Sequence, residues 1–309
     1  MYQQKLHNVC SEVNKIIKGK DRIISKVLAA IIAGGHILME DVPGVGKTTL
    51  ATSFARALSL NYHRVQFTPD VLPSDLLGFS MYNNQSGVFE FHEGAVFCNL
   101  LLADEINRTS PKTQSALLEV MEEKQASVEG TTRKLPNPFI VIATQNPVGS
   151  SGTQLLPDSQ MDRFMVCLSM GYPGHDDAVE LLKGQVWTIV NELTSAVTLE
   201  ELIQIQKEVE EVFVKDSIYD YIVSLVEETR KSVYFVSGAS PRAAIALLKM
   251  SRATAYMDGR DFVTAEDVQS VMTDVLSHRI RMKTQYKAEG MTMDECIRKM
   301  MCEVKVPRG

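Results

Sequence analysis

The sequence predicts an α/β fold: a five-stranded parallel sheet with helices on both faces, followed by an all-helical domain. Three observations carry that reading. Short apolar runs alternate with helical stretches over residues 36–170, the pattern of a covered parallel sheet. A glycine-rich turn at 41–49 leads from the first such run into a helix. After residue 172 strand-like runs stop, and capping signatures precede apolar stretches of helical spacing. A length of 309 residues suits one large or two moderate domains. The break at Pro173-Gly174 divides them as 1–172 and 173–309.

Residues 1–35 read as helix, with Ile16, Ile17, Ile23, Ile24, Val27, Leu28, Ile31 and Ile32 mostly three or four apart. Gly34-Gly35 ends it. Residues 36–40 suit a short buried strand, 41–46 a loop, and 47–60 a helix with Leu50, Phe54 and Leu58 on one face. Further strands follow at 63–67, 100–103, 139–144 and 164–170. Between the third and fourth strands Ser110 is set to cap a helix over 110–123. Pro111 takes its first position, and Leu117, Val120 and Met121 form its apolar face. Two strand–turn–strand patterns, 80–82 with 88–91 and 125–128 with 131–135, interrupt the alternation. A minimal αβ core needs neither, so both are candidate functional insertions. In the second half Thr198-x-x-Glu201, Ser217-x-x-Asp220 and Thr264-x-x-Asp267 look like capping-box helix starts.

Composition excludes several classes. Hydrophobic residues at 45% and charged residues at 23% are ordinary for a globular protein. A net charge of −6 argues against a strongly basic nucleic-acid binder. The five cysteines are scattered and lack CxxC spacing, which reads as reduced thiols of a cytoplasmic protein. The six histidines lack zinc-ligand spacing, so no metal site built only of protein ligands is expected. The polar start MYQQKLHNVC does not suit a signal peptide. The longest apolar stretch, 23–32, is broken by Ser25 and Lys26 and too short to span a bilayer, so no membrane insertion is expected. The basic region after His278 reads as a solvated helix face.

Asp41-Val42-Pro43-Gly44-Val45-Gly46-Lys47-Thr48-Thr49 sits between a strand and a helix, where a phosphate-binding loop works. Glycines let backbone N–H groups converge on phosphate oxygens, and the helix N-terminus adds positive dipole. Lys47 would pair with the β- and γ-phosphates of ATP, and Thr48 would give its hydroxyl to Mg²⁺. Asp41 stands where the strict pattern has glycine. Gly44-x-Gly46 alone would also suit a dinucleotide turn, but no third glycine follows.

Residues 99–105 are an apolar strand ending in two acids. Asp104 can reach a Mg²⁺ shell, usually through water, and Glu105 can polarise a water for in-line attack on the γ-phosphate. Adjacent carboxylates raise each other's pKa unless they have different partners; a metal for one and a water for the other would supply them. A second buried strand ends in Asn146, whose amide could bond the γ-phosphate or that water, and Pro147 stops it. Arg163, just before the last strand, can serve a neighbouring subunit's nucleotide. Ser240 caps a helix that has Pro241 first. That leaves Arg242 in a first turn where the dipole disfavours a cation, so an anion such as a phosphate would suit it.

The order of these motifs resembles the AAA+ ATPases. The strings MEDVPGVGKTTL, QFTPD with LPSD, LLLADEINRTSPKTQSALLEVMEE, IATQNP, LPDSQMDRF and GASPRA resemble the MoxR family over about residues 16–280. The resemblance implies a P-loop AAA+ sheet with flanking helices followed by a helical lid. It implies a helix-2 insertion, matched by the 80–91 hairpin, and a hairpin before the Asn146 strand, matched by 126–135. It implies ring assembly as a homo-oligomer, commonly hexameric, with ATP and Mg²⁺ at subunit interfaces. Carried over, Lys47 and Thr48 contact phosphate and Mg²⁺, Asp104 is the metal-side acid and Glu105 the water-activating base. Asn146 is the first sensor, Arg163 the finger and Arg242 the second sensor, while Gln66 could act as a polar switch for Glu105. Lys18-Gly19 departs from the usual Val-Gly-Gln on the adenine side. The implied role is chaperone-like remodelling or assembly of partner complexes, often through proteins with von Willebrand factor A domains. Two alternatives stay open: an ATP-gated protein-binding module with slow hydrolysis, and a helicase-like nucleic-acid remodeller. Net acidity and the lack of a basic run interleaved with aromatics oppose the second.

Overall fold

The computed structural model describes residues 2–42, 44–146, 155–182 and 193–307. In chain order, α1 (Gln3–Asn14) and α2 (Asp21–Ile32) precede β1 (Ile37–Glu40), α3 (Lys47–Ala57), β2 (Tyr62–Gln66) and α4 (Pro73–Leu77). A hairpin of β3 (Phe79–Asn83) and β4 (Val88–His92) leads to β5 (Leu100–Asp104) and a 3₁₀ turn at Ile106–Arg108. Then come α5 (Pro111–Glu123), a second hairpin of β6 (Gln125–Val128) and β7 (Thr131–Lys134), β8 (Ile140–Gln145), α6 (Asp158–Met161) and β9 (Val166–Leu168).

Five strands pair in parallel in the order β2-β5-β8-β1-β9. Alternate residues of a strand point to opposite faces, and here both faces are covered. Ile37, Met39, Leu100, Leu102, Ile140 and Ile142 join one buried cluster with α1–α3 and the helices of the second half. Leu38, Leu101, Ala103, Val141 and Ala143 join the other, with α5 and Phe164. Two-sided burial is why β5 reads LLLAD and β8 IVIATQ with every residue buried.

The second half contains α7 (His175–Leu182), α8 (Leu199–Glu211), α9 (Asp216–Lys231), β10 (Phe235–Ser237), α10 (Pro241–Met257), α11 (Ala265–Leu276), β11 (Arg281–Met282), α12 (Thr284–Ala288) and α13 (Met293–Met301). Thr198 and Thr264 form the expected capping boxes.

Three details differ from the sequence reading. Residues 1–35 form two helices, because Gly19 turns the chain at φ +66°; a Cβ there would lie 2.3 Å from Asp177 Oδ2. The break lets α1 and α2 both reach the same buried cluster. Ser217 does not start its helix: extended Lys215 is the N-cap, and Ser217 falls inside the first turn. A short antiparallel pair, β10 with β11, adds to the helices of the second half; segments this short carry no legible period-two pattern.

Candidate active site

β1 delivers the chain to the carboxyl edge of the sheet. Gly44 and Gly46 take φ +86° and +94°, left-handed conformations that glycine adopts without steric cost, and α3 opens at Lys47. Val42 and residues 44–49 are half-buried or exposed, so the loop is open to a ligand. Lys47 donates from Nζ to the Asp41 carbonyl oxygen at 3.0 Å. Burial presses the Lys47 pKa below its usual value, opposed by the charges of Asp41, Asp104 and Glu105.

Asp41 is buried and does more than fill a loop position. Its carboxylate accepts from Ser169 Oγ at 2.7 Å and from the backbone N–H groups of Met170 at 2.7 Å and Gly171 at 3.0 Å. Where the strict pattern has glycine, this chain has a brace to the segment leaving β9. Pro43 and Pro147 lie outside the described residues.

β5 brings two acids to the same edge. Asp104 Oδ1 accepts from Thr144 Oγ1 at 2.7 Å, and Oδ2 accepts from Arg64 Nη2 at 2.8 Å. Glu105 then takes φ +58°, ψ +49°, a left-handed conformation that costs a non-glycine residue about 1–2 kcal/mol. Its N–H donates to Thr144 Oγ1 at 2.8 Å, so one hydroxyl holds both acids. The Glu105 side chain has different partners from Asp104. Its Oε2 accepts from Gln66 Nε2 at 3.1 Å and from Arg108 Nη1 at 2.7 Å. Asn146 follows the end of β8, half-buried.

Thr48 and Asp104 offer a hydroxyl and a carboxylate, hard oxygen donors that suit Mg²⁺. That ion usually takes one or two protein oxygens, with phosphates and waters completing its shell. The lone pairs Asp104 keeps after bonding Thr144 and Arg64 can accept from a metal-bound water. Among the described residues no group of three or more His, Cys, Asp or Glu could hold a metal. The donor set therefore fits a metal that arrives with its nucleotide.

Arg163 and Arg242 lie elsewhere. Met165 N–H donates to the carbonyl of His36, the residue before β1, which places the Arg163 segment at the amino edge of the sheet. A four-residue strand spans about 13 Å, so these arginines and the Lys47 loop sit at opposite ends of β1. Arg163 Nε donates to Glu122 Oε2 at 2.9 Å, and Arg242 donates to Glu122 Oε1. A cavity of about 210 Å³ opens beside them, lined in part by Gly35, His36, Lys249 and Arg279. Asp162 ties the arms together: it accepts from Ser240 Oγ at 2.9 Å and from Arg279 Nε at 2.9 Å, and lies 3.9 Å from Arg242. Arg242, whose helix start disfavours it, thus finds its anions within this chain.

Sequence reasoning placed Lys47, Asp104 and Glu105 at one edge but missed Thr144, Arg64 and Arg108. Their signal was positional: polar residues interrupting apolar strands, or three residues past an acid. Ala103 pairs Ala143 in register, which sets Asp104 beside Thr144.

No described helix is long and apolar enough to cross a membrane. Residues 36–166 match the ATPase family associated with various cellular activities, and residues 227–300 match the AAA lid domain. The chain is 43% identical to YeaC of Bacillus subtilis (strain 168), over 99% of this chain and 97% of that one. It is 36% identical to Chaperone MoxR1 of Mycobacterium tuberculosis, over 98% of this chain and 82% of that one. A crystal structure from Cytophaga hutchinsonii superposes with a TM-score of 0.90 at 39% identity, covering 99% of this chain and 96% of that one. The strand order, the phosphate loop, the acid pair and these relatives agree: the chain belongs to the MoxR family of AAA+ ATPases.

Proposed function

We propose that this ATPase hydrolyses ATP between adjacent copies in a ring, hexameric as the family resemblance implies. One observation supports the reading: the acids and the candidate arginines occupy opposite edges of one sheet, as expected if two chains complete each site. The loop from Val42 to Thr49 holds the phosphates through backbone N–H groups, with Lys47 leaving the Asp41 carbonyl for the β- and γ-phosphates. Bound Mg²⁺, held by Thr48 and through water by Asp104, supplies charge neutralisation of the phosphoryl oxygens. Glu105 accepts the proton of the attacking water, which Asn146 helps to orient. Arg163 and Arg242 meet the γ-phosphate from the neighbouring copy.

Resemblance to a relative named a chaperone supports coupling of turnover to remodelling or assembly of partner complexes; von Willebrand factor A domain proteins are the partners that the family resemblance implies. Five free cysteines fit a reducing, cytoplasmic setting. We place the lid at 173–309, after an αβ nucleotide domain at 1–172.

The test is subunit mixing. Lys47→Ala and Arg163→Ala chains, each inactive alone, should regain part of the phosphate-release rate when mixed. Mixtures that stay inactive would remove the shared site. A second reading, an ATP-gated binding module with slow hydrolysis, draws on the two donors already engaging Glu105 Oε2. Partner affinity unchanged by ATP would dispose of it.

A further inference from the structure

Two cations from distant parts of the chain converge on one carboxylate. Arg163 comes from the segment before β9, Arg242 from the first turn of α10, and Glu122 from the last turn of α5. The side chains of Arg163, Arg242 and Glu122 are 31%, 47% and 42% exposed. Ion pairs so open to water contribute little to stability, so fold maintenance does not account for the arrangement. The bridging carboxylate holds two guanidinium groups that would otherwise repel each other beside Lys124 and Lys249, which line the same cavity. Arg163 spends Nε on Glu122 and Nη1 on the Ser159 carbonyl at 3.3 Å. A guanidinium carries five N–H donors, so each arginine keeps donors for an anion while Glu122 still holds it. The Glu122 carboxyl is held below its usual pKa, first by the Arg163 hydrogen bond, so it stays ionised in this role.

We propose that Glu122 is a positioning residue that joins Arg163 and Arg242 into one two-armed clamp for the γ-phosphate of ATP on an adjacent copy. This rests on the shared-site reading above. Glu122 touches no substrate; it sets the spacing and direction of two groups that do. It also makes the clamp depend on the lid, because one arm belongs to α10. If the lid swings away, Arg242 leaves and Arg163 remains without its counterpart.

The experiment compares the full-length wild type with Glu122→Ala, Glu122→Asp, the Arg163→Ala/Arg242→Ala double variant, and that double variant carrying Glu122→Ala. Steady-state turnover and KM for ATP are measured, along with association in the presence of a slowly hydrolysed ATP analogue by sedimentation velocity. Unchanged thermal midpoints establish that each variant folds. Glu122→Ala should lower kcat on the order of tenfold with KM little changed, because misplaced groups cost rate while Lys47 still binds the nucleotide. Glu122→Asp should recover part of the loss. The double variant should lose on the order of 10³-fold. Adding Glu122→Ala to it should change nothing further, since there is no longer a clamp to position. Nucleotide-dependent association should weaken in Glu122→Ala and in the double variant. Wild-type kcat and association in Glu122→Ala, with the double variant inactive, would discard Glu122 and keep the shared site. A further loss on adding Glu122→Ala to the double variant would place its effect outside the clamp and overturn the proposal. Full activity of the double variant would overturn the shared-site reading, and this proposal with it.

Discussion

The two edges of the sheet solve opposite problems. At the carboxyl edge the groups are held locally: Thr144 pins two consecutive acids, and Asp41 anchors the phosphate loop through three hydrogen bonds. At the amino edge the groups come from two distant segments and meet on one half-exposed carboxylate. The carboxyl edge is organised by bonds among its own residues. The amino edge depends on where the lid sits. On the proposed shared-site reading, a base needs fixed geometry, whereas groups that serve another copy follow its approach.

Four perturbations test that contrast, from the largest expected effect to the smallest. Glu105→Gln removes the proposed base with little change in side-chain size. Phosphate release should fall on the order of 10³-fold while binding of a fluorescent ATP analogue persists. Substantial hydrolysis by that variant would place the base elsewhere. Thr144→Val deletes the hydroxyl shared by both acids, and turnover should drop about 100-fold with ATP affinity nearly intact. If the loss were only in affinity, the carboxyl edge would be less preorganised than described.

Asp41→Ala leaves two backbone N–H groups and a serine hydroxyl without their acceptor. Chemical denaturation should register a stability loss of about 2–3 kcal/mol, since bonds to a charged group count for more than neutral ones. An unchanged midpoint would refute the brace.

The last perturbation is acid. His36 and His278 are buried at the amino edge, and burial holds their pKa values down to about 4 and about 3. Both stay neutral in the folded chain while the unfolded chain takes up protons below its ordinary value near 6.5. Stability is therefore fully present above about pH 6.5 and falls as the pH drops toward 4, by on the order of 1 kcal/mol per pH unit for each imidazole. Replacing His278 with Gln should flatten that slope in pH-dependent melting. An unaltered slope would mean another group titrates.

Much of the fold was legible because two-sided burial writes itself into sequence as uninterrupted apolar runs, as in LLLAD and IVIATQ. The strand–loop–helix setting of Lys47 was legible for a related reason: its glycines and its lysine are close in sequence. Thr144 and Arg64 were not, because their roles depend on which residue lies opposite across the sheet. Ser217 misled because a serine three residues before an acid also occurs inside helices, and the chain had already turned at Lys215. Arg242 looked like a cation in search of an anion. The structure pairs it with Glu122, more than a hundred residues earlier, which no local pattern could reveal.

The three bonds to the Asp41 carboxylate carry a mechanical implication. They fasten the proposed nucleotide-binding turn to residues 169–171, where the chain heads out of the sheet toward the lid. Under the proposed remodelling role, a partner that levers the lid would pull on these same bonds and so loosen or tighten the hold on nucleotide. Force and affinity would be read at a single joint.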